Sequence, residues 1–240
     1  VTIVKGVKES EETTRTMMSK YDETAKSVSD IESVVGKLVS ELGTGGVMSV
    51  EDIQEGMSVL DVACGTGDFS IAAHRAGVKQ VTGIDISENM VEIGKKKVGD
   101  LHLADAIELK TGDCEHMEFA TGMFDVVTVA FGVRNFEHLE LGLQEMYRVL
   151  KTGGKVIILE FSMPEHFPMK QLYRFYFCHI LPTIGGWISG NKGAYTYLPE
   201  SVMKFPQGET FLQIMRDCGF QHPVRRKLSF GIASLYVGEK

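Results

Sequence analysis

The sequence predicts an α/β fold built on a mostly parallel sheet. Three observations carry this reading. Short apolar runs at 58–62, 80–84, 106–110, 124–130 and 155–161 alternate with helical periodicities near 67–75, 87–98 and 138–150. A glycine turn, Gly65-Thr66-Gly67, follows the first run, and an acid, Asp85, closes the second. Crossovers between such strands are right-handed, and ligands sit beyond the strands' carboxyl ends.

Each element has its own local reason. Met17, Met18, Tyr21, Ala25, Val28 and Ile31 recur at three- and four-residue intervals, which predicts a helix over 10–42. Gly43-Thr44-Gly45-Gly46 then breaks the chain. Leu150-Lys151-Thr152-Gly153-Gly154-Lys155 separates a helix from the fifth strand. The region 164–205 departs from the βα rhythm and is rich in large apolar and aromatic residues. A helix at 208–217, stopped by Gly219, precedes two last strands near 222–228 and 230–238, joined as a hairpin.

Composition narrows the function. The 240 residues suffice for one sizeable core with an inserted subdomain. A net charge of −7 makes nucleic acid a poor partner, although Arg225-Arg226-Lys227 is a small basic patch. The four cysteines, at 64, 114, 178 and 218, have neither metal nor redox spacing, which predicts reduced thiols in a cytoplasm. No metal is expected from the seven histidines. Neither a signal peptide nor a transmembrane helix is expected.

The stretch VLDVACGTGDFS is the chemical centre. Glycines let the backbone turn sharply and approach a ligand, and the next helix offers unpaired N–H groups. A dinucleotide fingerprint needs a third glycine, where this chain has Ser70. Asp61 and Asp68 flank the loop and repel a pyrophosphate, which favours a cationic ligand such as S-adenosylmethionine. Asp85 suits a ribose diol, against the alternative of a helix N-terminal acid. Asp113, after the third strand, reads equally as an adenine acceptor and as a solvated turn residue.

The set VLDVACGTGDFS, GIDISENM, TVAFGVRNFE, EMYRVLKTGGKVIILEFS, GAYTYLPESV and SLYVGEK resembles the class I S-adenosylmethionine-dependent methyltransferases. More narrowly it resembles the ubiquinone/menaquinone biosynthesis C-methyltransferase family. AFGVRNFE and AYTYLPESV are more specific than the glycine loop. The resemblance implies a Rossmann-like, mostly parallel seven-stranded sheet with an antiparallel last strand. It also implies an N-terminal helical cap (1–45) and a methyltransferase domain (46–240) whose helical insertion, about 164–205, covers the pocket.

The resemblance further implies S-adenosylmethionine framed by Asp61, Gly65, Thr66 and Gly67, with ribose on Asp85 and adenine at Asp113 and the Cys114 backbone. Tyr21 would lie over the cofactor. Met90 would pack near adenine or ribose, with a helix-core role as the equal alternative. The implied reaction is C-methylation of a demethylated quinol, demethylmenaquinol by preference. Arg134 would stabilise a quinol oxyanion or order a water, and Asn135 would bind an acceptor oxygen; loop capping is their alternative. Tyr195 and Tyr197 are weaker candidates for the acceptor wall.

The run 167–188 reads as a greasy cover admitting an isoprenoid tail and touching a membrane's inner face. A subdomain core or homodimer interface is its equal alternative. The segment after Tyr21 departs from the family, whose members carry a basic, tryptophan-containing stretch there; Trp187 is this chain's sole tryptophan. Another lipid or small aromatic acceptor therefore stays open. An NAD-dependent oxidoreductase and a non-catalytic cofactor-binding relative are the competing classes.

Overall fold

The computed structural model describes residues 56–175 and 200–240. The helix expected over 10–42, Tyr21, Trp187, Tyr195, Tyr197 and most of 167–188 lie outside them.

Seven strands form one sheet: β1 (Ser58–Val62), β2 (Gln80–Asp85), β3 (Ile107–Thr111), β4 (Phe124–Ala130), β5 (Leu150–Phe161), β6 (Gln221–Leu228) and β7 (Ala233–Glu239). Their order is β3-β2-β1-β4-β5-β7-β6. β7 runs antiparallel to β5 and to β6, and the pairs from β3 to β5 are parallel. The antiparallel last strand is thus as expected, and β1 and β4 mark the point where strand order reverses.

Helices cover both faces. On one, α1 (Asp68–Arg75) and α2 (Glu88–Asp100) bury Ile71, Val91 and Val98 against Val59, Val81 and Leu109. On the other, α3 (Leu139–Val149) and α5 (Glu209–Asp217) bury Leu143, Met146, Phe211 and Met215 against Leu60, Val127 and Tyr236. Alternating strand residues feed both cores, so the central strands read as nearly unbroken apolar runs. A short α4 (Met169–Phe175) follows β5.

Two boundaries depart from expectation: β7 begins at Ala233 rather than 230, behind a left-handed turn, and the start of β5 lies earlier than expected. β5 begins at Leu150, not 155, because 151–154 form a bulge rather than a break. Leu150 pairs with Phe124, and the ladder resumes with Lys155 opposite Val126. α5 stops where expected, with Gly219 at φ +103° just beyond it.

Candidate functional site

The turn after β1 sits at the strand-order reversal, where a crevice opens beyond the carboxyl ends of β1 and β4. Ala63, Gly65 and Gly67 all have positive φ, so the chain reverses within five residues. Gly67, at φ +76°, is the N-cap of α1 and supplies no side-chain cap. A Cβ there would lie 2.9 Å from Leu109, so the position tolerates no larger residue without repacking. The first turn of α1 thus presents its N–H groups without a side-chain acceptor at the cap.

Asp85 stands where the sequence placed it, at the tip of β2. One carboxylate oxygen accepts the Gly65 amide at 2.8 Å, and the other accepts the Ser87 amide at 2.9 Å. The acid therefore holds the turn and the entry to α2 together. Ser87 caps α2 by accepting the Met90 amide at 3.4 Å. Met90 itself is buried in that first turn.

Asp61 does not face the crevice as an open charge. It is 1% exposed, and accepts hydrogen bonds from Ser70 Oγ at 2.6 Å and Thr128 Oγ1 at 3.2 Å. Burial pushes its carboxyl up to about 7, the two hydroxyls pull it down, and the charge of Asp85 adds to the rise. Ser70, conspicuous in the sequence as a missing third glycine, thus ties α1 to β1.

Asp68 corrects the sequence reading of charge. Lys97 Nζ donates to Asp68 Oδ2 and to Thr66 Oγ1, both at 2.9 Å, and Thr66 Oγ1 donates to the same carboxylate. Its charge is met by an ammonium, so Asp68 no longer argues for a cationic ligand. Thr66 is the outer latch of the turn.

Beyond β3, Asp113 accepts the Glu115 amide at 2.8 Å and keeps a half-exposed side chain. Burial pushes the neighbouring Cys114 thiol up to about 12, so it stays a neutral thiol.

Past β4, the loop packs directly on the glycine turn: a Cβ on Gly132 would lie 2.5 Å from that of Ala63. Arg134 follows, and its side chain is fully buried, as is that of Glu160 on β5. Arg134 Nη1 donates to Glu160 Oε1 at 2.8 Å and to the Phe131 carbonyl. The Arg134 amide donates to Glu160 Oε2 at 3.2 Å, and Nε donates to Ser201 Oγ at 3.3 Å. The guanidinium lies 5.5 Å from the centre of the Phe161 ring, which stacks on Phe131. Asn135 is exposed on the same short 3-10 turn. A cavity of about 260 Å³ adjoins this turn, walled by Val133, Phe136, Leu139 and Phe205, with Arg134, Glu200, Ser201 and Lys204 at its polar side.

The ubiE/COQ5 methyltransferase family matches residues 9–240 of this sequence. The chain belongs to that family. A demethylmenaquinone methyltransferase of Bacteroides fragilis is 46% identical over 183 residues, 76% of this chain and 75% of the relative. One from Porphyromonas gingivalis is 48% identical, with 76% of each chain covered. A ubiquinone/menaquinone biosynthesis C-methyltransferase of Geotalea uraniireducens is also 48% identical, over 78% of this chain and 80% of its own. Among solved structures, a SAM-dependent methyltransferase from Aquifex aeolicus superposes with TM-score 0.60 at 20% identity, over 86% of this chain and 97% of that one. The [4+2]-cyclase SpnF superposes with TM-score 0.59 at 18% identity, over 86% and 80%. These two show the fold alone.

Within this ubiE/COQ5 family member, the glycine turn, Asp61, Asp85 and the Arg134 loop share one rim of the sheet. Glu160 and Lys97 are the residues that the sequence left unmarked. Glu160 had a signal: it is the one charged residue in Val156-Ile157-Ile158-Leu159-Glu160-Phe161. An acid inside such a run implies a buried partner.

Proposed function

We propose that the protein transfers a methyl group from S-adenosylmethionine to a ring carbon of a demethylated quinol, demethylmenaquinol by preference. The observation that carries this reading is Asp85. It ties the glycine turn to β2 at the rim, in a chain whose relatives at 46–48% identity are named demethylmenaquinone methyltransferases.

The residues present fit the donor. The first turn of α1, without a side-chain cap, and the glycine backbone leave room for close approach, and the carboxylates of Asp61 and Asp85 at the rim suit a ligand bearing an ammonium and a sulfonium. Asp85 would accept from the ribose hydroxyls, Asp61 would lie under the methionine end with Gly65, Thr66 and Gly67, and Asp113 with Cys114 would flank adenine. When bound, the donor supplies an electrophilic methyl group on a positively charged sulfur.

The protein's own contribution is placement and exclusion of water. Arg134 acts by holding the loop beyond β4, through Glu160, against the glycine turn. Asn135 on that loop would meet an acceptor oxygen. The cavity beside the loop has apolar walls suited to an isoprenoid chain. The insertion, about 164–205, would cover the acceptor, and its leading residues Phe167, Leu172 and Phe175 are exposed. Peripheral contact through 167–188 would bring the enzyme to a membrane-borne quinol. Among the described residues no helix is long and apolar enough to cross a membrane.

The test is incubation with methyl-labelled S-adenosylmethionine and a panel of reduced demethylated quinones, followed by mass analysis. Label on a ring carbon of the menaquinol precursor is expected. Label on oxygen, or on none of the panel, contradicts the reading.

A further inference from the structure

The hairpin joining β6 to β7 carries a conformation that costs free energy. Ser229, Phe230 and Gly231 all have positive φ, of 45°, 58° and 90°. Two of the three are not glycine, and a bulky aromatic in the left-handed region is rare. Ser229 Oγ is buried with no hydrogen-bond partner among the described residues. The turn nevertheless leaves Phe230 85% exposed, the most exposed large apolar side chain of the described residues. The exposed phenyl ring buries little surface, so its own packing does not offset the strain at Phe230.

Its surroundings are specific. Gly231 packs on Pro164, and Ser162 Oγ donates to the Gly231 carbonyl at 2.9 Å, so the tip abuts the start of the insertion. Phe167, three residues past Pro164, is 81% exposed. The charge here is opposite to that of the whole chain. Lys170, Arg174, Arg225, Arg226 and Lys227 stand in the two segments 164–175 and 225–231 against a single carboxylate, Glu165. Glu165 bridges Arg225 at 2.8 Å and Lys227 at 2.5 Å, which fixes the insertion's start to β6.

The sheet register places this corner on the site's rim. Phe161, next to Glu160, pairs with Ala233, which pairs with Leu228 at the end of β6. Two strand spacings, about 10 Å, therefore separate the end of β5 from the start of the hairpin turn.

We propose that the strained β6–β7 tip is a membrane anchor: Phe230 and Phe167 enter the apolar edge of an anionic bilayer, and Arg226 and Lys227, exposed on opposite faces of β6 beside the tip, meet its headgroups. The inference rests on the acceptor being a lipid quinol, and deepens it by naming the surface that delivers the rim to that lipid. An acidic protein is repelled by an anionic surface unless it offers a local basic face, and this corner is such a face.

The experiment is co-sedimentation of the full chain with vesicles of equal parts phosphatidylglycerol and phosphatidylcholine, and with phosphatidylcholine alone. Phe230→Gly is the informative variant, because glycine relieves the left-handed strain and its melting temperature should equal or exceed wild type. Partition of Phe230→Gly into anionic vesicles should fall roughly tenfold, the order expected for one buried phenyl side chain. Arg226→Glu should lower it about fivefold or more, and added salt should do the same to wild type. Unchanged partition of Phe230→Gly, or equal binding to neutral vesicles, overturns the proposal. So does a dimer that Phe230→Gly dissociates while vesicles bind neither protein, which would assign the tip to a second copy of the chain. Methylation of a demethylated quinol lacking the isoprenoid tail separates the two readings. Both proteins should turn it over equally. If neither does, the acceptor assignment fails whatever the vesicles show; if both do and vesicles do not bind, the anchor alone fails.

Discussion

Asp85 accepts the Gly65 amide at 2.8 Å, so the tip of the second strand holds the turn that follows the first. Sequence places these residues twenty apart; the parallel pairing of β1 with β2 brings them together. The contact makes one acid responsible both for the shape of the turn and for its negative potential.

Asp85→Ala should therefore weaken S-adenosylmethionine binding by on the order of 1–3 kcal/mol, the range for a hydrogen bond to a charged group. Exchange of the Gly65 amide hydrogen should speed up in the same variant, because its acceptor is gone. Calorimetric titration and amide exchange measure the two effects. Unchanged affinity would remove Asp85 from the site.

Asp61 gives a pH signature. Its carboxyl is raised from the ordinary 3.8 to about 7 in the folded chain. The folded state thus holds a proton that the unfolded state has released between about pH 4 and 7, and stability falls as pH rises through that window. Asp61→Asn keeps an oxygen acceptor and removes the charge. Its melting temperature should rise relative to that of wild type as pH climbs from about 4 to about 7, with the difference levelling off above that. A cationic donor beside Asp61 favours the ionised carboxylate, so donor affinity of wild type should climb over the same interval. A gap that does not change with pH would contradict the buried acid.

Arg134 and Glu160 form an ion pair with both side chains fully buried. Removing one partner strands the other, so Arg134→Ala and Glu160→Ala should each destabilise by about 3–5 kcal/mol in denaturant unfolding. The apolar double variant Arg134→Met/Glu160→Leu should recover most of that loss. Turnover should stay low in the double variant, because the loop beyond β4 is no longer clamped, while donor affinity is kept. Full turnover there would show that the pair serves stability alone.

Asp68 tests the charge reading. Its partner Lys97 already neutralises it, and the pair is partly exposed. Asp68→Asn should change donor affinity by less than about 1 kcal/mol, the ordinary reach of a surface ion pair. A loss as large as that from Asp85→Ala would return Asp68 to the set of acids facing the ligand.

What the sequence disclosed was local. Strands 58–62 and 124–130 were readable to the residue because apolar runs end in turn chemistry. The glycine turn and Asp85 were readable because their spacing is short. The start of β5 was not, since Gly153-Gly154 looks the same whether it breaks a strand or bulges from one. Glu160 and Lys97 needed partners 26 and 31 residues away, which only the folded sheet supplies. The burial of Arg134 escaped for the same reason: an arginine after a strand reads as a free cation until its carboxylate is found. Phe230 read as the start of the last strand, whereas the chain puts it in a left-handed turn before that strand begins.

The central claim is that a positively charged methyl donor, and no dinucleotide, occupies the rim between β1 and β2. Calorimetric titration of the wild-type protein with S-adenosylmethionine, and separately with NAD, tests it directly. Saturable heat with S-adenosylmethionine, lost or weakened in Asp85→Ala, and none with NAD, is the expected result. Saturable heat with NAD and none with S-adenosylmethionine would contradict the account.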